Sequence, residues 1–261
     1  MLSGSPTGHN AVQLTAAVAR RAAPPLLRSG AAAIPHRHVP PDARAALVTA
    51  AGSLTSQAIG RRLAHDGACV AFADADRDAA CAAAEAICAD GGEAVGLEMH
   101  ARDWTSTQRA VQAARDRWAR LDVMVNLVDD SPAAPFLALS EDDLTESFDA
   151  ALVGLMHGVR AATEQMREAD AGCIVNVFPL SRDDNVLGGA MAGAAEMLTR
   201  AAGVELAPLG IRVAGIVAAS VREDPAAIAD AVAFVSSADA GYVTGSTLVI
   251  AERHTQQWIA R

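Results

Sequence analysis

The stretch LVTAAGSLTSQAIGRRLAHDGACVAFADAD, Leu47 to Asp76, constrains the fold more than any other part of the chain. Leu47, Val48 and Thr49 make a short apolar, partly β-branched run, and Cys69, Val70, Ala71 and Phe72 make a second that ends at Asp74. Between them Ala58, Ile59, Arg62, Leu63 and Ala64 recur at the 3.6-residue period of a helix packed on a sheet. Strand, small-residue turn, helix and strand is a βαβ unit. Where such a unit binds a dinucleotide, the first turn holds the pyrophosphate at the helix N-terminus and an acid about 20 residues on binds the adenosine ribose. Asp74 stands where that acid belongs. The turn is poor in glycine, because Ala50, Leu54 and Ser56 fill the places glycines normally take and Gly52 is out of position.

The pattern continues in alternation. Arg77 to Ala89 reads as a helix, Ala94 to Met99 as a strand, Thr105 to Ala119 as a helix, and Leu121 to Val128 as a nearly continuous apolar strand buried on both faces. Ser140, followed by Glu141, Asp142 and Asp143, starts a long helix through about Glu168, with acids at its positive end. Strand Cys173 to Phe178, helix Gly189 to Ala207, strand Arg212 to Val217, a helix from Pro225 to Ser236 and a last strand from Ser246 to Ala251 complete the series. The expected fold is a doubly wound parallel α/β sheet, Rossmann-like, in a single domain over residues 42–261. Residues 1–41 are expected to be a flexible extension, with Pro24, Pro25, Pro35, Pro40 and Pro41 as breakers and no acid before Asp42.

A length of 261 residues suits one large α/β domain. With 51% hydrophobic and 3% aromatic residues, the core must be built from small and aliphatic side chains. A net charge of −10 argues against nucleic-acid partners, whose phosphates would be repelled. All 21 basic residues are arginine, so no mechanism can use a lysine. Cys69, Cys81, Cys88 and Cys173 lack metal-ligand spacing and read as buried thiols in a reducing compartment. No metal site is expected. No apolar run is long enough for a membrane span, so a cytoplasmic location is expected, with organelle targeting by the arginine-bearing first 41 residues the alternative.

From about Ala45 to Ala251 the chain resembles the short-chain dehydrogenase/reductase family. LDVMVN resembles that family's LDVLVNNAG strand, PFLALSEDDLTESFDAALVGL its helix start, GCIVNV its GSIVNISS strand, LTRAAGVELAPLGIRVAGI the segment after its YxxxK, and YVTGSTLVIA its C-terminal YVTG segment. The resemblance implies NAD(P)-dependent oxidation or reduction of hydroxyl and carbonyl groups by a tyrosine, a lysine, a serine and an asparagine. Matched position by position, the tyrosine falls at Gly188, the lysine at Ala192, the serine pair at Phe178 and Pro179, and the asparagine at Ala151. The only tyrosine, Tyr242, lies near the C-terminus. The adenine-contacting pair falls at His100 and Ala101, and the nicotinamide-contacting residues at Ala218, Ala219 and Glu223. The usual substrate lid is essentially deleted, because Glu223 and Asp224 lead straight into Pro225. Ser56 and Ala58 are similar to the divergent turn of enoyl reductases in the same superfamily, and Asn126 survives from NNAG.

Asp74, Ser56 and Asn126 are therefore the candidate cofactor contacts, as remnants, and no catalytic residue is assigned. On this reading no cofactor is expected, or NAD(P) if binding is retained. The acids Asp129, Asp130, Asp183, Asp184 and Glu223 fall at the carboxyl edge of the sheet as a solvated rim or a cation site. His157 reads as a packing residue. The expected function is a non-catalytic partner or assembly subunit. It would pair, as a homo-oligomer or with a catalytically complete relative, through Ser140 to Glu168 and Gly189 to Ala207, with Leu144, Phe148, Leu152, Leu155, Val159 and Ala162 as the apolar stripe. The alternatives are an NAD(P)-dependent oxidoreductase with an unusual site, and a small-molecule sensor or carrier.

Overall fold

A computed structural model describes residues 43–128, 135–179, 186–218 and 224–250. The expected extension over residues 1–41 lies outside them. Seven strands form one parallel sheet, namely β1 (Ala45–Thr49), β2 (Cys69–Asp74), β3 (Ala94–Glu98), β4 (Val123–Leu127), β5 (Gly172–Pro179), β6 (Ile211–Ala218) and β7 (Thr247–Ile250). Their order is β3-β2-β1-β4-β5-β6-β7. The order reverses between β1 and β4, and their carboxyl ends open the crevice where ligands of doubly wound folds bind.

Helices α1 (Leu54–His65), α2 (Arg77–Ala89) and α7 (Pro225–Ser236) cover one face, and α3 (Trp104–Trp118), α5 (Gly154–Met166) and α6 (Val186–Leu206) cover the other. Alternation along the strands divides the core. Val48, Phe72, Val125 and Ile216 pack with Ile59, Leu63 and Val232 on the first face. Leu47, Met124, Ile174 and Val213 pack with Val111, Val159 and Met166 on the second. A third cluster closes the carboxyl end, with Val128, Leu155, Phe178, Leu187, Met191 and Val217.

Local chemistry sets the helix starts. Asp76 caps α2 by accepting from Asp78 and Ala79 N–H, and Ser140 and Asp143 form a reciprocal capping box at α4 (Glu141–Phe148). Those bonds hold the Asp143 carboxyl below the ordinary carboxylate range, the Ser140 hydroxyl contributing most. The helix expected from Ser140 to Glu168 is not one regular helix. A π-helical turn over Asp149–Val153 separates α4 from α5, and a 3-10 turn follows at Arg167–Ala169. The extra residue shifts the helix register, so α5 turns a different face to the sheet than a continuous 3.6-residue repeat would.

Two further expectations are corrected. Leu152, Leu155, Val159 and Ala162 are buried in the chain's own core, not held ready for a partner, while Leu144 and Phe148 are 46% and 53% exposed. Cys69 and Cys173 are buried, but Cys81 and Cys88 are only half-buried. Burial pushes both the Cys69 and the Cys173 thiol up, so each is protonated and shielded at neutral pH. Iodoacetamide at pH 7 should leave Cys69 and Cys173 unmodified until the protein is unfolded, as mass spectrometry of the labelled peptides would read. Among the described residues no helix is long and apolar enough to cross a membrane.

Candidate active site

The turn after β1 carries the backbone geometry that a glycine would supply. Ala50 sits in the left-handed region at φ 56°, a conformation costing a residue with a Cβ about 1 kcal/mol. The side chain at position 50 therefore opposes a backbone path that the rest of the structure imposes. Ala50→Gly should raise stability by about 1 kcal/mol, read by denaturant titration, provided the turn keeps its conformation.

Gly52, out of position for a phosphate-binding glycine, has a part that the sequence pattern hides. Its N–H donates to Asp74 Oδ2 at 2.9 Å, and the other oxygen of Asp74 accepts from Asp76 N–H at 3.0 Å. The turn is thus tied to the end of β2, and the Asp74 carboxylate is oriented by two backbone donors while staying partly open to solvent. Leu54, the first residue of α1, does not fill the turn. Its side chain is 72% exposed and is not packed into the core.

Ser56 is wholly buried and donates its hydroxyl to Thr49 O at 2.6 Å, which clamps α1 onto β1. It serves the close helix-strand packing of the unit. Thr49 in turn accepts from Leu127 N–H at 2.9 Å and joins the carboxyl ends of β1 and β4.

Asn126 is 4% exposed and points into the molecule. Its amide donates to Asn176 Oδ1 at 3.0 Å, Asn176 donates to Thr199 Oγ1 at 3.0 Å, and Thr199 returns its proton to Ala195 O at 2.8 Å. This buried chain crosses from β4 through β5 to α6. Asn176 and Thr199 were missed as site-supporting residues. A signal for Asn176 did exist: VMVNLV and CIVNVF each place one asparagine near the end of an apolar strand, and the two are paired in register. Gly158 on α5 lies directly against Asn126, where a Cβ would overlap the amide.

The places matched to the resemblance's catalytic groups are apolar. Phe178 is 1% and Ala151 2% exposed, Gly188 is buried in the first turn of α6, and Ala192 packs on the same carboxyl-end cluster. Tyr242 is 83% exposed and lines a cavity at the opposite, amino edge of the sheet. His100 is exposed, with Nε2 3.4 Å from Glu98 Oε1. His157 is half-buried, edge-on to Trp104 with ring centroids 5.6 Å apart, and its Nδ1 lies 3.0 Å from Ala101 O. That contact makes Nδ1 the protonated nitrogen and gives His157 a packing role. Asp129, Asp130, Asp183, Asp184, Ala219 and Glu223 lie outside the described residues. Among the described residues no group of acids, histidines and cysteines could hold a metal ion.

Comparison with known proteins bears on what this crevice does. The family model for short chain dehydrogenases matches residues 44–228. An uncharacterised oxidoreductase of Mycobacterium bovis is 29% identical over 238 residues, which span 79% of this chain and 95% of its own. A cyclopentanol dehydrogenase of Comamonas testosteroni is 28% identical over 221 residues, spanning 72% and 87%. In fold, the crystal structure of a short chain dehydrogenase from Mycobacterium smegmatis superposes with a TM-score of 0.75 over 83% of this chain and 95% of that one, at 21% identity. Relatives named as oxidoreductases and dehydrogenases overturn the expectation of a non-catalytic partner or assembly subunit. The expectation that no cofactor binds is likewise unsupported, since the matched family typically binds NAD(P). With a family model covering most of its length, a sheet in the matching order and an acid at the end of β2, the chain belongs to the short-chain dehydrogenase family.

Proposed function

We propose that this protein is an NAD(P)-dependent oxidoreductase that works with an unusual active site. The observation that carries the reading is the first turn. Ala50 keeps the left-handed backbone, and Gly52 orients Asp74 at the end of β2. These residues fit a dinucleotide, whose ribose hydroxyls would donate to Asp74 and whose pyrophosphate would lie at the N-terminus of α1. When bound, the nicotinamide supplies hydride chemistry. Asn126, fixed by Asn176 and Thr199, supports the floor of the crevice rather than touching the ligand.

The site is unusual because Gly188 and Ala192 stand where the family's phenol and ammonium would be, and the chain contains no lysine. A proton that accompanies turnover must then reach substrate from solvent or from another group of the crevice, without a phenol whose pKa is lowered by a cation. NADH at 100 times its dissociation constant should stabilise the fold by about 2.7 kcal/mol, visible as a rise in melting temperature. Turnover of a panel of secondary alcohols and ketones, followed at 340 nm, tests the chemistry. No thermal shift and no turnover together would sink the reading.

We also propose that two copies pair across the groove between α5 and α6. Met156 lines it and is 57% exposed, and Met197 and Val204, also on these helices, are 60% and 73% exposed. Arg160, Glu164, Arg167 and Glu205 line the groove, two of each sign, so a second copy would bring no net charge against it. Val204→Arg should convert a dimer into a monomer on size-exclusion chromatography with light scattering. A wild type that already runs as a monomer contradicts the proposal.

A further inference from the structure

The amino edge of the sheet, opposite the crevice, holds a cavity of about 590 Å³, within the roughly 300–1,000 Å³ range of small-molecule sites. Arg44, Asp122, Cys173, Arg212, Tyr242 and Thr244 contribute to its lining. Two of these are guanidinium groups with no carboxylate partner among the described residues. Arg44 donates to Ser236 O at 2.6 Å, and Arg212 donates to Val235 O at 2.9 Å, Val243 O at 3.2 Å and Ser237 O at 3.2 Å. They bond to three successive carbonyls at the end of α7, so the two cations are neighbours. Both also act on the Cys173 thiol, favouring its charged form against the larger effect of burial.

The acid in the lining does not neutralise them. Asp122 is taken up by a bidentate pair with Arg120, at 2.7 and 2.8 Å, and by Ala45 N–H at 2.7 Å. The chain before Arg44 offers only Asp42, because no other acid occurs in the first 43 residues. Among the described lining residues the two guanidinium groups outnumber the one carboxylate, in a chain whose net charge is −10. Carbonyl acceptors explain why each arginine is anchored. They do not explain two half-buried cations side by side, which repel until an anion lies between them. Arg44 spends one of its five N–H donors on Ser236 O, leaving a fork suited to a bidentate oxyanion.

We propose that this cavity is a second ligand site, separate from the dinucleotide crevice, that takes a small organic molecule with a phosphate or carboxylate head. Arg44 and Arg212 hold the oxyanion. The exposed apolar lining from Ala171, Ala207 and Ala238 takes the body of the ligand, and the Tyr242 ring stands at its rim.

Calorimetry of the full chain with phenyl phosphate as probe tests the site, with phenol as the neutral control and NADH as competitor. The expected result is saturable binding with a millimolar or lower dissociation constant, no binding of phenol, and no displacement by NADH. Arg44→Gln should weaken binding at least tenfold, and Arg44→Lys, which keeps the charge and loses the fork, should fall between. Circular dichroism confirms that each variant is folded. Should Arg44→Gln fail to fold, Tyr242→Ala, exposed at the rim, replaces it and should weaken phenyl phosphate severalfold while leaving inorganic phosphate, which has no ring, less affected. No binding by the wild type, equal affinity for phenol, displacement by NADH, or unchanged affinity in a folded Arg44→Gln would each overturn the proposal.

Discussion

Gly158→Ala should cost about 3 kcal/mol of stability, one of the largest losses available to a single methyl group in this molecule. The added carbon would overlap the Asn126 amide, which is 4% exposed and hydrogen-bonded to Asn176. Moving Asn126 breaks its bond to Asn176, and Asn176 then faces the core with an unmet acceptor. Each buried polar group left unsatisfied costs about 1–3 kcal/mol, and overpacking adds about 1–3 more. For a chain of this size, 3 kcal/mol corresponds to a melting temperature lower by roughly 8 °C. Gly193→Ala is the matching control. Gly193 lies on the exposed side of α6 with nothing within 4 Å of a Cβ, so there the same change should stabilise by up to about 1 kcal/mol. Equal and small effects at both positions would mean that the Asn126, Asn176 and Thr199 chain carries little of the stability.

The contrast between these two glycines marks how far the sequence is legible. Periodicity and apolar runs placed the strands and helices within a few residues, because a sheet buried on both faces needs continuous Val, Ile, Leu and Ala. It also placed Asp74 at the end of β2, since the βαβ unit fixes where that strand stops. Tertiary register was not legible. A π turn at Asp149–Val153 changes which side of α5 faces inward, and nothing local in DAALV announces it. Leu152 and Leu155, expected on a partner-facing stripe, turn into the chain's own core for that reason. In the site, side-chain identity misled in a specific way. Ala50 reads as a lost glycine, yet the backbone there remains left-handed, because the flanking strand and the Gly52 to Asp74 bond impose the path. Substitution patterns record side chains, whereas a pyrophosphate is met by backbone.

The same reasoning sets the expected behaviour of Asp74. Two backbone N–H groups occupy part of its acceptor capacity and fix its plane, while its remaining lone pairs face the end of the turn. Each charge-assisted hydrogen bond that a ribose hydroxyl donates there is worth about 1.5–3 kcal/mol, so Asp74→Ala should raise the NADH dissociation constant by at least roughly 10- to 100-fold. A 2′-phosphate in the same place would set a dianion against the carboxylate, so the wild type should favour NADH over NADPH by at least roughly tenfold. Asp74→Asn separates the two effects. Its amide oxygen can still accept from Gly52 and keep the turn closed, but the charge is gone, so NADH should weaken while the preference against NADPH narrows. Calorimetric titration of both nucleotides against the three proteins gives the six dissociation constants that decide these expectations. If NADH binds the wild type and both variants equally, the dinucleotide does not lie across the first turn, and Asp74 is only the anchor that holds Gly52 against β2.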